Sequence, residues 1–160
     1  MTPSQNAGSR IDAEGKPSAS VLIKEVTMKK YVIESDWGIG FSINDLADSK
    51  GEAVIKLDKL KRNAPLDGMI FRIVPEEVPD GPNERFSFVV RRLIAENCSI
   101  DDEDPCNFAI HISWGDWKHE HMRADYVMGL YGFMSYESLV DDEDGSDCYS
   151  AWRTYTIKQN

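Results

Sequence analysis

The sequence predicts an α+β fold, with a mainly antiparallel sheet and two helices, at about 50–63 and 115–131, in a single mixed domain of residues 20–160. Three observations carry that expectation. Several short segments alternate apolar and polar side chains with the two-residue period of a strand that buries one face. Two longer segments repeat their apolar residues at helical spacing instead. The first nineteen residues are small and polar with no apolar period, so residues 1–19 read as a disordered tail.

Order begins near Ser20. Val21, Ile23 and Val26 open an extended stretch that Tyr31 to Ile33 continue, and Ile39, Phe41 and Ile43 alternate with Gly38, Gly40 and Ser42 as a further strand. Glycines inside such a strand mark a bulge or a close backbone approach. Ser49 followed three residues later by Glu52 is a capping box, and Ala53, Leu57, Leu60 and Ala64 then repeat on one helical face until Pro65 stops the run; a strand is the weaker alternative, because Ala53, Ile55 and Leu57 also alternate. Met69, Phe71 and Ile73 read as a strand that ends before Pro75. After the turn residues 79–83, Phe86, Phe88 and Val90 resume the alternation, which pairs 69–74 with 85–94 as an antiparallel hairpin. A helix at 84–96 competes, because Phe86, Val89 or Val90 and Leu93 fit its period as well.

The acidic run 101–104 and Pro105 read as a loop, followed by a short strand through Phe108, Ile110 and Ile112. Trp117, His121, Ala124, Met128 and Tyr131 form one stripe of the second helix, with Ser113 and Asp116 in capping positions and Gly132 at its C-terminal end. Met134, Tyr136, Ser138 and Val140 alternate, and a turn through Asp144 and Gly145 joins them to a last strand, Tyr149 to Ile157.

With 160 residues the chain has the length of one ordinary domain, long enough to bury a core without metals or disulfides. Three cysteines, Cys98, Cys106 and Cys148, leave at least one unpaired, and no CxxC pair occurs. No apolar run approaches the roughly 20 residues that span a bilayer, and the first residues lack the apolar stretch of a signal peptide, so a cytoplasmic location is expected. GxSxG and GxxxxGKS motifs are absent. Carboxylates beside each cysteine argue against an activated thiolate.

The charge is the most unusual property. The formal net charge is −10, and nine of the acidic residues fall in two short runs, Asp101, Asp102, Glu103 and Asp104, then Asp141, Asp142, Glu143, Asp144 and Asp147. The rest of the chain is close to neutral, so the field is local. Such a field repels nucleic-acid phosphates and anionic membranes and suits a basic protein surface or a cation. The second run lacks the glycine position of a calcium-binding hand.

Two sets of candidate residues follow. Asp101, Asp102, Asp104, Asp141, Asp142 and Asp144 form the candidate contact surface, with Trp152, which shares a strand face with Ser150, Thr154 and Thr156 and is exposed if Ala151 and Tyr155 point into the core. The second set is the histidine cluster. All three histidines lie between 111 and 121; His121 and Asp125 share a helix face, and His111, with His119 nearby, completes a divalent-metal ligand set. The helix start at Ser113 to Trp117, with Lys118, His119 and Arg123 nearby, has the elements of an anion site that Asp116 neutralises.

The expected function is therefore a small, acidic, non-enzymatic binding or inhibitory protein whose acidic loops meet a basic protein surface. No cofactor, direct nucleic-acid contact or membrane contact is expected. The alternative is a metal-binding protein or metal-dependent enzyme built on His111, His119, His121 and Asp125. Adjoining acidic segments favour the first reading, and converging histidines favour the second.

Overall fold

The structure, a computed structural model, describes residues 26–63, 68–114, 119–136, 142–143 and 149–159. Among these residues it is a mixed α+β fold with two antiparallel sheets and three helices. The tail 1–19, with Val21 and Ile23, lies outside the described residues. So do residues 115–118 at the expected start of the second helix, Ser138 and Val140, the turn at Asp144 and Gly145, Asp141, Asp147 and Cys148.

The first sheet has the order β2-β1-β3, from β1 (Thr27–Asp36), β2 (Phe41–Ala47) and β3 (Ile70–Pro79). Ile39 is not on a strand; it is 94% exposed at the turn joining β1 to β2. Gly38 and Gly40 hold φ of +114° and +116° there, values that a side chain disfavours. The Asp36 carboxylate accepts both of their N–H groups, at 2.6 and 2.9 Å. β3 runs through Pro75 to Pro79 and does not stop before Pro75. This is tolerable because β3 is an edge strand with one side that needs no ladder bonds.

Helix α1 (Lys50–Asn63) has the expected bounds. Ser49 Oγ accepts the Glu52 N–H at 3.1 Å, and the Glu52 carboxylate accepts the Asp48 N–H at 2.8 Å. Its Ala53, Leu57 and Leu60 cover Ile33 and Ala47 on one face of the sheet.

Residues 82–95 form helix α2 (Pro82–Ala95) and not a strand. Pro82 stands in the first turn, where its missing N–H has no partner to lose. The buried side chains Phe86, Val89, Val90 and Leu93 follow helical spacing. The half-buried Phe88 explains why the segment also mimics strand alternation.

The second sheet has the order β4-β5-β8-β6, from β4 (Ile100–Asp104), β5 (Ala109–Trp114), β6 (Phe133–Tyr136) and β8 (Tyr149–Ile157), with β7 (Asp142–Glu143) also paired to β8. The acidic run 101–104 is thus an edge strand and not a loop. A carboxylate-rich edge blocks unwanted strand addition while one side keeps its pairing to β5.

α2 and helix α3 (His119–Leu130) fill the space between the sheets. Their Phe86, Val89, Ala124 and Met128 share one core with Val32 and Val78 of the first sheet and Ile110, Ile112 and Tyr155 of the second. Phe86 is the aromatic hub, with ring centroids 5.4 Å from Phe133 and 5.5 Å from Phe108. The inner face of the second sheet is therefore covered, and its outer face carries the functional argument.

Candidate docking face

Strand alternation decides which residues reach that outer face. On β5, Ile110 and Ile112 are buried in the core, so His111 and Ser113 take the other side. On β8, Ala151 and Tyr155 are buried, which turns Trp152 outward, where it is 38% exposed. His111 and Trp152 are direct cross-strand partners. On β6, Tyr136 pairs with Thr154 and Met134 with Thr156, and these two side chains are 58% and 48% exposed. On β4, Asp102 pairs with His111 and Asp104 with Ala109. One face thus carries an apolar and aromatic strip, Met134, Tyr136 and Trp152, bordered at its edge by Asp101, Asp102 and Asp104.

A register shift between Ile100 and Asp102 lets Asp101 reach back over β5. The His111 Nδ1–H donates to one carboxylate oxygen of Asp101 at 2.6 Å, and the Ser113 hydroxyl donates to the other at 2.9 Å. Partial desolvation raises the Asp101 pKa, but these two bonds outweigh it and hold the carboxyl below its ordinary value. The His111 ring, fixed in this way, lies 5.3 Å from the Trp152 indole at 56°. Asp104 is held by the Asn107 side-chain amide at 2.7 Å. Asp102 accepts the Glu103 N–H at 2.9 Å, while Glu103 accepts the Ser87 hydroxyl on α2.

The two acidic segments flank the same pair of strands. Asp142 pairs with Ser150, Ser150 with Ser113, and Ser113 donates to Asp101. The backbones of β4 and β7 are three strand spacings apart, roughly 14 Å. Asp141 and Asp144 lie outside the described residues.

The structure does not bring His111 together with His121 and Asp125. Asp125 faces the inner side of the sheet, where its carboxylate accepts the Tyr155 hydroxyl at 2.7 Å and an Arg153 Nη2–H at 2.5 Å. Burial, and then the neighbouring Asp125, push the Tyr155 phenol far up, so it stays protonated and donates. His111 sits on the opposite side because it alternates with the core residues Ile110 and Ile112. Among the described residues no group of three or more His, Cys, Asp or Glu side chains is placed to hold a metal ion. The anion site expected at Ser113 to Trp117 rests on residues 115–118, outside the described residues.

One polar cluster has no counterpart among the sequence expectations. Arg92 of α2 binds Glu34 of β1 and, at 2.7 Å, Glu76 of β3, and also faces Glu96 at 3.6 Å. Arg72 reaches Glu34 from β3 at 2.7 Å. Arg123 of α3 donates to Glu96 at 2.5 Å and to the Ile43 carbonyl at 2.8 Å. The Tyr131 hydroxyl donates to Glu76 at 2.7 Å; burial first, and then that bond, push its pKa far up. The cluster borders a groove of about 370 Å³ but pairs its carboxylates with guanidinium groups from three elements, the pattern of a clamp between layers. Its one sequence signal is the Arg92 and Glu96 spacing on a helix. Glu34 gave none, since a single carboxylate on a strand carries no local cue to distant partners.

Comparison of the chain with protein-family models, with curated proteins and with solved structures finds no match.

Proposed function

We propose that this protein is a non-enzymatic binding or inhibitory protein that docks the outer face of its second sheet on a basic protein surface. The observation that carries the reading is that the exposed side chains of Trp152, Tyr136 and Met134 share one sheet face with the Asp102 and Asp104 edge. Large exposed apolar side chains cost solvation wherever no partner covers them, and grouped with charge they are the usual anatomy of an interface. A Lys or Arg side chain lying over Trp152 gains from the indole face while its charge meets the neighbouring carboxylates. The backbone of β7, at Asp142, pairs with β8 on the side away from β5. Asp101 acts as a positioning residue, because both of its oxygens are used to hold His111 and Ser113.

The test is a photo-crosslinking side chain placed at position 152, with a second at Val54 on α1 as control, in an extract of the native host. Position 152 is expected to capture lysine- and arginine-rich proteins that Val54 does not. Capture should fade with added salt and with Asp102→Asn/Asp104→Asn/Asp142→Asn. Identical capture at both positions, or capture of mainly acidic proteins, would refute the reading.

A further inference from the structure

A second feature lies where the ends of α3 and β8 meet the first sheet. The first sheet, the start of α2, the C-terminal end of α3 and the end of β8 line an open cavity of about 480 Å³. Its apolar wall includes Met28, Leu46, Val78 and Ile157, and its rim includes Lys30, Arg85 and Lys158. Among the described residues that line it, none is acidic. In a chain of net charge −10, a cavity bordered by cations alone is the reverse of the general field.

The three cations are not equivalent. Lys30 is neutralised by Asp48 at 2.5 Å. Arg85 donates from Nε to the Tyr131 carbonyl at 3.0 Å and from Nη1 to the Asp80 carbonyl at 2.7 Å. Lys158 donates to the Gly129 carbonyl at 3.0 Å. These acceptors are neutral, and among the described residues neither Arg85 nor Lys158 forms an ion pair. α3 has no basic residue in its own last turn, so these two side chains supply the cations its C-terminus lacks. A helix end carries only about half a unit of negative charge and the Phe133 ring 5.1 Å from Arg85 carries no net charge, so the two cations keep most of their charge. Each group also keeps spare donors: the Nη2 of Arg85 and two of the three ammonium hydrogens of Lys158.

We infer that this cavity binds a small organic anion, a carboxylate with an apolar body, its head group on Lys158 and Arg85 and its body against Met28, Leu46 and Val78. The lining mixes apolar and polar surface in about equal parts, which suits a ligand with both a charged head and an apolar body, and the volume lies in the usual range of small-molecule sites. A bare inorganic anion would leave the apolar wall unused, and an amine would meet two cations.

Isothermal titration calorimetry with octanoate, octylammonium and inorganic phosphate tests this on the full chain. Octanoate should bind one site saturably, and octylammonium and phosphate at least about tenfold more weakly. Lys158 is exposed, so Lys158→Met is expected to fold; it should weaken octanoate about tenfold, the scale of a charge-assisted hydrogen bond. Lys158→Arg should restore binding to within about threefold. No saturation with octanoate up to about 5 mM would overturn the inference. Octylammonium or phosphate matching octanoate, or an unchanged Lys158→Met, would overturn it as well.

Discussion

His111 and Trp152 face each other across β5 and β8 with their rings 5.3 Å apart, and Asp101 fixes the imidazole from the edge strand. A residue expected to bind metal thus stands between two expected to bind a partner. Its neighbours make it the floor of an aromatic and acidic surface.

That geometry has a pH signature. The Asp101 carboxyl is lowered in the folded state, so the stability it contributes is present above its unfolded pKa of about 3.9 and is lost as pH falls through the lowered folded value. Asp101→Asn should be less stable than wild type at pH 7 by no more than about 1 kcal/mol, since Asp101 is half-exposed and screened. Urea unfolding of both proteins should show the gap closing below pH 4. A gap that stays constant to pH 2.5 would rule out the ionic part of the contact.

The Arg92 clamp is expected to be far more costly to break. Arg92→Met leaves Glu34 and Glu76 without their shared guanidinium, at a cost of about 3–5 kcal/mol. Adding Glu76→Gln should recover part of the loss, because Glu34 keeps Arg72 while Glu76 is the carboxylate left without a cation. A double-mutant cycle measures the coupling, and strict additivity would show that the two residues act independently.

Val89 separates the helix from the competing strand directly. It is fully buried in α2, so Val89→Asp should unfold the protein or nearly so. If Phe86, Phe88 and Val90 pointed inward from a strand, Val89 would point out and tolerate Asp. A cooperative melt close to wild type would therefore contradict the helix.

Ser49→Ala should destabilise by about 1 kcal/mol by removing the acceptor of the Glu52 N–H at the start of α1. Thermal melting with a calorimetric enthalpy gives the value, and no change would show that water replaces the hydroxyl.

α1 was legible to its ends because its signals are local: a capping pair, an apolar stripe and Pro65. β8 was legible for the same reason, and the outward turn of Trp152 followed from the buried partners on its other face. α2 was ambiguous because Phe86, Phe88 and Val90 satisfy both periods, and only packing between two sheets chose Val89 over Phe88. The acidic run 101–104 looked like a loop because nothing local in four carboxylates announces a strand; its structure comes from pairing with β5. The Glu34–Arg92–Glu76 clamp and the cavity beside Lys158 join residues that are distant in the chain, and a sequence without a known fold does not bring them together.

The central claim is that charge on the outer sheet face guides a basic partner onto Trp152. Stopped-flow association, followed by Trp152 fluorescence, with the protein captured through position 152 tests it most directly. Wild type should associate fast at low salt and slow by about tenfold or more as ionic strength rises, and Asp102→Asn/Asp104→Asn/Asp142→Asn should associate slowly with a weaker dependence on salt. An association rate that ignores both the substitutions and the salt would contradict the account.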